Sequence, residues 1–289
     1  MSYNFAIIGV AGYIAPKHLQ AIQELKHNLL ISFDKVNTEL VIDKYFQSCQ
    51  FFNRFSEFKK KFFKIKNKIN YTVILTPNYT HFKYIKFALS HGSNVICEKP
   101  LVLTINHLRQ LEKLEIKYNR KVFTILQLRT LKVIKQLKRQ IKNNKKKYHV
   151  KVNYIAPRSM KYKKTWKGDS KKSGGILFNI GIHSLDLLCY LFGKHKSCKL
   201  VKNNNNFNKG KILFNNASVD FYLSINKKDL EKYKNKPVIR DFIVNGKRID
   251  LLKNSNQAHK ECYKDIINKR LFGIEEVKKS IELALDLKK

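Results

Sequence analysis

Acidic residues are scarce in this chain: its 289 residues hold 21 Asp plus Glu against 59 Lys plus Arg, a formal net charge of +38. Glycine and proline, whose codons are rich in G and C, are also few, at 11 and 5. Cysteine occurs five times, at Cys49, Cys97, Cys189, Cys198 and Cys262. That odd, widely spaced set forms neither a disulfide framework nor a Cys-x-x-Cys metal site, and reads as small hydrophobes in a reducing compartment. No run approaches the ~18 apolar residues of a membrane span. The opening MSYNFAIIGV lacks the basic start and cleavage site of a secretory signal. A cytoplasmic protein is the expectation. With 43% hydrophobic and 12% aromatic residues, the chain can bury a real core, so disorder is excluded as its main state, and its length suits roughly two domains.

A charge of +38 invites nucleic-acid binding, since lysines that neutralise phosphates release counterions. The composition points elsewhere. Lysine outnumbers arginine 50 to 9, and Asn, Ile, Phe and Tyr, whose codons are also rich in A and T, are abundant. Base bias therefore accounts for much of the excess, and a dedicated nucleic-acid reader would use more bidentate arginine. The runs at 59–68 (KKKFFKIKNK), 142–147 (KNNKKK) and 161–164 (KYKK) fall between apolar segments, as solvated helix faces and loops do. Nucleic acid is not an expected partner.

The first ~130 residues alternate short apolar runs with amphipathic stretches, the pattern of parallel strands with crossover helices. Strands are predicted at 4–10, 29–34, 71–76, 94–97 and 121–126, with helices at 16–27, 79–91 and 104–118. After about residue 150 alternating runs at 150–155, 211–214, 218–225 and 238–252, the last with an Asn245-Gly246 hairpin signal, predict a second, mostly antiparallel sheet. Helices are predicted at 181–192, 257–269 and 274–287, and the Asn-rich 203–206 as a surface loop.

Three constellations carry chemistry. Gly9-Val-Ala-Gly12-Tyr13-Ile14-Ala15 leaves the first strand and enters the first helix, where glycine lets a pyrophosphate approach a helix N-terminus. Asp34 ends the second strand, placed to bind an adenosine ribose and repel a 2′-phosphate, which favours NAD over NADP. Thr76-Pro77-Asn78 and Glu98-Lys99-Pro100 follow later strands, at the carboxyl ends where open α/β sheets bind ligands. A lysine there can stabilise the oxyanion of an alcohol losing its proton. In Gly174-Gly175-Ile-Leu-Phe-Asn179-Ile-Gly181-Ile-His183-Ser-Leu-Asp186, a helix would put Asn179, His183 and Asp186 on one face, with His183 able to take a proton and Asn179 or Asp186 orienting the ring or the substrate. A histidine so placed also fits a plain core position. No second His or Cys stands at ligand spacing, so no metal is expected there.

In this order the motifs resemble the glucose-fructose oxidoreductase and inositol dehydrogenase family. The resemblance rests on GVAGYIAPKH, TPNYTHFKYIKFALSHGSNVICEKPLVLT and SGGILFNIGIHSLDLLCYLFG. It implies an α/β fold, with an N-terminal Rossmann NAD-binding domain (1–125) and a C-terminal α+β domain on an open, mostly antiparallel sheet (126–289), whose last helices pack back on the first domain. Three further stretches, the AGYIAPKH loop, TILQLR with TWKGDSKKSGG, and AHKECYKDII with FGIEEVKKSIEL, resemble the UDP-N-acetylglucosaminuronate 3-dehydrogenases of surface-polysaccharide synthesis. The resemblance implies a homo-oligomer, dimer or tetramer, that oxidises the 3-hydroxyl of such a UDP-sugar with NAD and recycles NADH with 2-oxoglutarate. It further implies that Gly9, Gly12, Tyr13, Ile14, Asp34, Thr76, Pro77, Asn78, His81, Glu98 and Gln127 line the NAD site. Lys99 and His183 would be the catalytic pair, and Arg158, Trp166, Lys167 and Asn179 would hold the sugar carboxylate and diphosphate.

Two departures from the family pattern stand out. Asn179 occupies a position where many members have Asp, which moves the base to His183, and the Asn-rich 203–208 suggests a shortened C-terminal sheet, with consequences for stability and oligomer contacts. Another sugar or polyol dehydrogenase of the family, and a non-catalytic NAD-fold binder with a basic surface, are the competing expectations.

Overall fold

The computed structural model describes residues 1–289 apart from 145, 232, 234, 235 and 253–256. Lys145, in the predicted lysine run 142–147, thus lies outside the described residues. The chain forms two compact units, one of residues 1–102, 106–125 and 256–275, the other of 103–105, 126–255 and 276–289.

In the first unit, strands β1 (Asn4–Ile8), β2 (Asn28–Phe33), β3 (Gln50–Phe52), β4 (Tyr71–Ile74), β5 (Asn94–Cys97) and β6 (Val122–Thr124) alternate with helices α1 (Ala15–Glu24), α2 (Glu39–Asp43), α3 (Phe55–Ile65), α4 (His81–Ser90) and α5 (Ile105–Tyr118). All six strands run parallel in the order β3-β2-β1-β4-β5-β6. Chain direction across the sheet reverses between β1 and β4, which opens a crevice at their carboxyl ends. Strand β4 is buried at every position, and β1 and β5 at all but their first, as strands covered on both faces require. Pro16 opens α1, where its fixed φ suits the first turn. Helix α3 and the short β3 stand where no element was predicted. The lysines around 59–64 crowd out the apolar pattern, yet Phe58 and Phe62 face inward and pack with Phe33, Phe55 and Phe87, each burial contributing about 2–3 kcal/mol.

The second unit begins with α6 (Lys132–Asn143), absent from the sequence reading although Ile134, Leu137 and Ile141 form its buried stripe. Strand β7 (Tyr148–Ile155) follows, then the single turns α7 (Met160–Lys163) and α8 (Ser170–Ser173), a π-helical turn at Leu177–Gly181, and α9 (Ile182–Phe192). Next come β8 (Ser197–Asn203), β9 (Phe207–Leu213), β10 (Ala217–Ser224), β11 (Ile239–Val244) and β12 (Lys247–Arg248). Their sheet runs β12-β11-β7-β10-β9-β8, with β7 and β10 parallel and every other pair antiparallel. The Asn-rich segment does not shorten it. Asn203 closes β8 and Asn208 pairs with it from β9, so 204–206 is simply a hairpin turn, held by Asn204 accepting from the amides of Asn206 and Phe207. Over Ser170–Phe192 a helical stretch is, contrary to the sequence reading, long and apolar enough to span a membrane, but its apolar window is mostly buried inside the protein as a core helix is.

Helix α10 (Ala258–Lys269) returns to the first unit and packs on α1, and α11 (Ile274–Asp286) closes the chain. All five cysteines are free thiols, four of them buried.

Candidate active site

The turn after β1 is built for a close approach. Gly9 has φ +96°, and a Cβ there would lie 2.7 Å from the Thr76 amide nitrogen, so the turn sits directly against the chain leaving β4. The Gly9 amide donates to the Phe33 carbonyl, and Ala15 N–H donates back to Gly12 to start α1. Asp34 faces this turn, with Oδ2 accepting from Ala11 N–H at 2.9 Å and Oδ1 from Val36 N–H at 3.2 Å. Tyr13 projects from the loop almost fully exposed, at 94%. A bare glycine turn, a helix N-terminus and an acid at the end of β2 fit a dinucleotide, whose pyrophosphate meets backbone amides and whose ribose meets the carboxylate.

Across the crevice, Thr76, Pro77 and buried Asn78 leave β4, and the Thr76 hydroxyl accepts from Thr80 at 2.8 Å. His81 is buried with Nδ1 2.8 Å from the Pro100 carbonyl and Nε2 2.8 Å from that of Thr76. It braces the two ligand-side turns against each other, and burial lowers its pKa. Glu98 and Lys99 follow β5. The Glu98 carboxylate turns inward to His18 and accepts from the Lys99 amide. Gly9, Gly12, Tyr13, Ile14, Asp34, Thr76, Pro77, Asn78, His81, Glu98 and Lys99 therefore all belong to the first unit, gathered at the carboxyl ends of its strands.

Gln127, Arg158, Trp166, Lys167, Asn179 and His183 belong to the second unit. Arg158 and Lys167 are exposed, Arg158 over the Tyr162 ring and Lys167 over Trp166. Asn179 Nδ2 donates to the Lys167 carbonyl at 3.0 Å, which ties the Trp166 segment to the π-turn. Asn179 lies in that turn and His183 in the α-helix after it, both half-buried, so the predicted continuous helix face is interrupted by a widened turn of the kind that recurs at functional sites. Asp186 does not orient His183. Its carboxylate is buried and held bidentately by Arg129, at 2.8 and 2.6 Å, and Arg129 also reaches the Glu276 carbonyl at 3.0 Å. A buried carboxylate needs such a partner, and the guanidinium fork supplies both bonds.

Sequence reasoning missed Arg129, His18, His259 and Tyr263. Arg129 was one of only 9 arginines in a lysine-rich chain, a signal of a bidentate role. His18 stands three residues after Ala15 and four before Ile22, on the inward stripe of α1, where a polar side chain must have partners.

The oxidoreductase family with an NAD-binding Rossmann fold matches residues 3–126, and its C-terminal alpha/beta domain matches 138–220. Among solved structures, the WlbA (WbpB) dehydrogenase from Thermus thermophilus, crystallised with NAD and alpha-ketoglutarate and also with NAD and UDP-GlcNAcA, is 32% identical at a TM-score of 0.92, over 98% of this chain and 93% of its own. The glucose-6-phosphate 3-dehydrogenase of Bacillus subtilis (strain 168) is 27% identical over 197 residues, 65% of this chain but only 53% of the Bacillus enzyme. Oxidoreductase P35 of Formosa agariphila is 26% identical over 230 residues, 74% of this chain and 70% of its own. With the strand order, the glycine turn and both domain matches agreeing, the chain belongs to the glucose-fructose oxidoreductase and inositol dehydrogenase family of NAD-binding oxidoreductases.

Proposed function

We propose that this protein oxidises the 3-hydroxyl of a UDP-N-acetylglucosaminuronate-type sugar to the 3-keto sugar with NAD. The observation that carries the reading is the whole-chain likeness to the Thermus enzyme bound to NAD and UDP-GlcNAcA. NAD, when bound, accepts the hydride from carbon 3. Gly9, Gly12, Tyr13, Ile14, Asp34, Thr76, Pro77, Asn78, His81, Glu98 and Gln127 line its site. His183 takes the hydroxyl proton at an imidazole nitrogen, and the Lys99 ammonium steadies the developing alkoxide. The balance is one alcohol and NAD⁺ giving one ketone, NADH and a proton. Asn179 cannot act as a base, so its amide joins Arg158, Trp166 and Lys167 in holding the sugar carboxylate and diphosphate. 2-Oxoglutarate would serve as the acceptor for recycling, since its conversion to the 2-hydroxy acid takes up the hydride and one proton. The setting is cytoplasmic surface-polysaccharide synthesis, and the working form a homo-oligomer.

Mass spectrometry of UDP-N-acetylglucosaminuronate incubated with the protein and NAD, with and without 2-oxoglutarate, tests this. Loss of two hydrogens from the sugar, enhanced by 2-oxoglutarate, is expected. An unchanged sugar with retained NAD binding would discard the substrate and turn the search to sugar phosphates, the substrate class named for the Bacillus relative. Salt-sensitive nucleic-acid binding with no turnover on any sugar would favour the non-catalytic reading.

A further inference from the structure

Beneath the Lys99 turn the first unit buries a cluster in which Glu98 alone belongs to the proposed NAD site, and whose other members the proposed chemistry does not use. His18, from the helix entered by the glycine turn, has no solvent exposure. Its Nε2 lies 3.0 Å from Glu98 Oε1 and its Nδ1 2.8 Å from the Tyr263 hydroxyl. Glu98 Oε2 accepts the backbone N–H of Lys99 at 3.1 Å. His259 completes the cluster, with Nε2 3.7 Å from Glu98 Oε1 and its ring edge-on to that of His18 at 5.2 Å. On the outer side of the same helix pair, Lys260 and Glu24 form an ion pair at 2.9 Å.

The hydrogen-bond roles are determined. An ionised carboxylate only accepts, so His18 donates from Nε2, and Nδ1 then accepts from the Tyr263 hydroxyl. Burial lowers the His18 pKa, which favours the neutral ring and with it this tautomer. Burial alone would raise Glu98, but His18 and His259 hold it well below the usual carboxylate range, so it stays ionised. A directed series results, from Tyr263 O–H to His18, from His18 to Glu98, with the Lys99 amide donating to the other carboxylate oxygen. For stability alone, apolar side chains of similar volume would serve this interior as well or better. What the charged cluster provides instead is a fixed backbone at Lys99, tied at once to α1 and to α10.

We propose that His18, Glu98, His259 and Tyr263 are positioning residues that hold the Lys99 turn in its working place, an inference that rests on Lys99 acting in the proposed dehydrogenation. Misplacing such a group by about an ångström costs on the order of 100-fold in rate.

The test compares His18→Leu, which removes the donor at similar volume, with His18→Gln, whose amide still reaches Glu98, and with Tyr263→Phe. For each, hydrogen exchange of the Lys99 amide, NAD affinity by fluorescence, and kcat and KM are measured on the full-length protein. His18→Leu should speed Lys99 exchange at least about tenfold and lower kcat about 10- to 100-fold, with NAD affinity and KM within about threefold, and His18→Gln should recover most of the loss. The His18→Leu, Glu98→Gln double variant should be no worse than the poorer single, because the two changes break one network. If His18→Leu does not fold, Tyr263→Phe carries the test, with loss in the same direction of about three- to tenfold. Unchanged Lys99 exchange in a folded variant would overturn the proposal. So would an equimolar metal ion found by elemental analysis of the purified protein, since His18, Glu98 and His259 would then be its ligands. A wild-type protein that leaves the sugar unchanged would count against the function, whereas exchange at Lys99 decides this proposal whatever the substrate.

Discussion

Lys99 is one of 50 lysines, and only its place after β5 distinguishes it. Lys99→Ala should lower kcat by about 100-fold or more, as loss of one oxyanion stabiliser does, with NAD affinity nearly unchanged by fluorescence titration; full turnover would remove it from the mechanism. Asp34→Ala should weaken NAD and narrow its preference over NADP in steady-state kinetics, because the carboxylate that faces the glycine turn is gone. Asp186→Ala should cost about 3 kcal/mol in urea unfolding, since it takes the bidentate carboxylate from the buried Arg129 guanidinium and leaves it Glu276 alone. A loss within about 0.5 kcal/mol, the size of an exposed pair, would mean that Glu276 or water replaces the lost carboxylate. Asp186 also marks how far side-chain roles could be read in advance: its spacing to His183 was visible, but the partner that claims it is 57 residues away in sequence.

Among elements, the glycine turn is the most tightly constrained. Gly9→Ala would combine positive φ with a backbone contact of 2.7 Å at Thr76. Stability should fall by about 2–4 kcal/mol, and NAD binding should fall with it, measurable as a lost ligand-induced rise in Tm. An alanine variant with normal Tm and NAD response would show that the turn is looser than described. Strands β1, β4 and β5 were legible because buried parallel strands read as continuous apolar runs. Helices α3 and α6 were not, because lysines between their inward residues mask a stripe such as Ile134, Leu137 and Ile141. The π-turn was invisible, since no local composition rule separates it from the α-helix that it interrupts.

For the whole molecule, acid is the revealing variable. Burial lowers the pKa of both His18 and His81 below 6.5. Below that value the unfolded chain binds more protons than the folded one, so stability rises with pH, is complete above about 6.5 and is lost as pH falls. Each histidine contributes at most ~1.4 kcal/mol per pH unit. Glu98, held well below 4.5, has the same sign at lower pH: its contribution is present above about 4.5 and lost as acid protonates it. Urea midpoints should therefore be level from pH 8 to 7 and decline from 6.5 to 5.5; a flat profile would mean that these rings are solvated or already charged in the native state.

Sequence alone determined the class of fold and the order of the motifs, because apolar periodicity, glycine turns and strand ends are local properties that short stretches carry by themselves. It placed the glycine turn, Asp34, Thr76 and Lys99 at the ends of strands. Tertiary structure alone decided that Asp186 belongs to Arg129, that the asparagines of 203–208 turn a hairpin between two paired strands, and that His18, Glu98, His259 and Tyr263 converge under Lys99. The physical reason is one of range. A buried polar group must find its partner wherever the folded chain brings one, and for His18 that partner lies 80 residues away at Glu98 and 245 away at Tyr263.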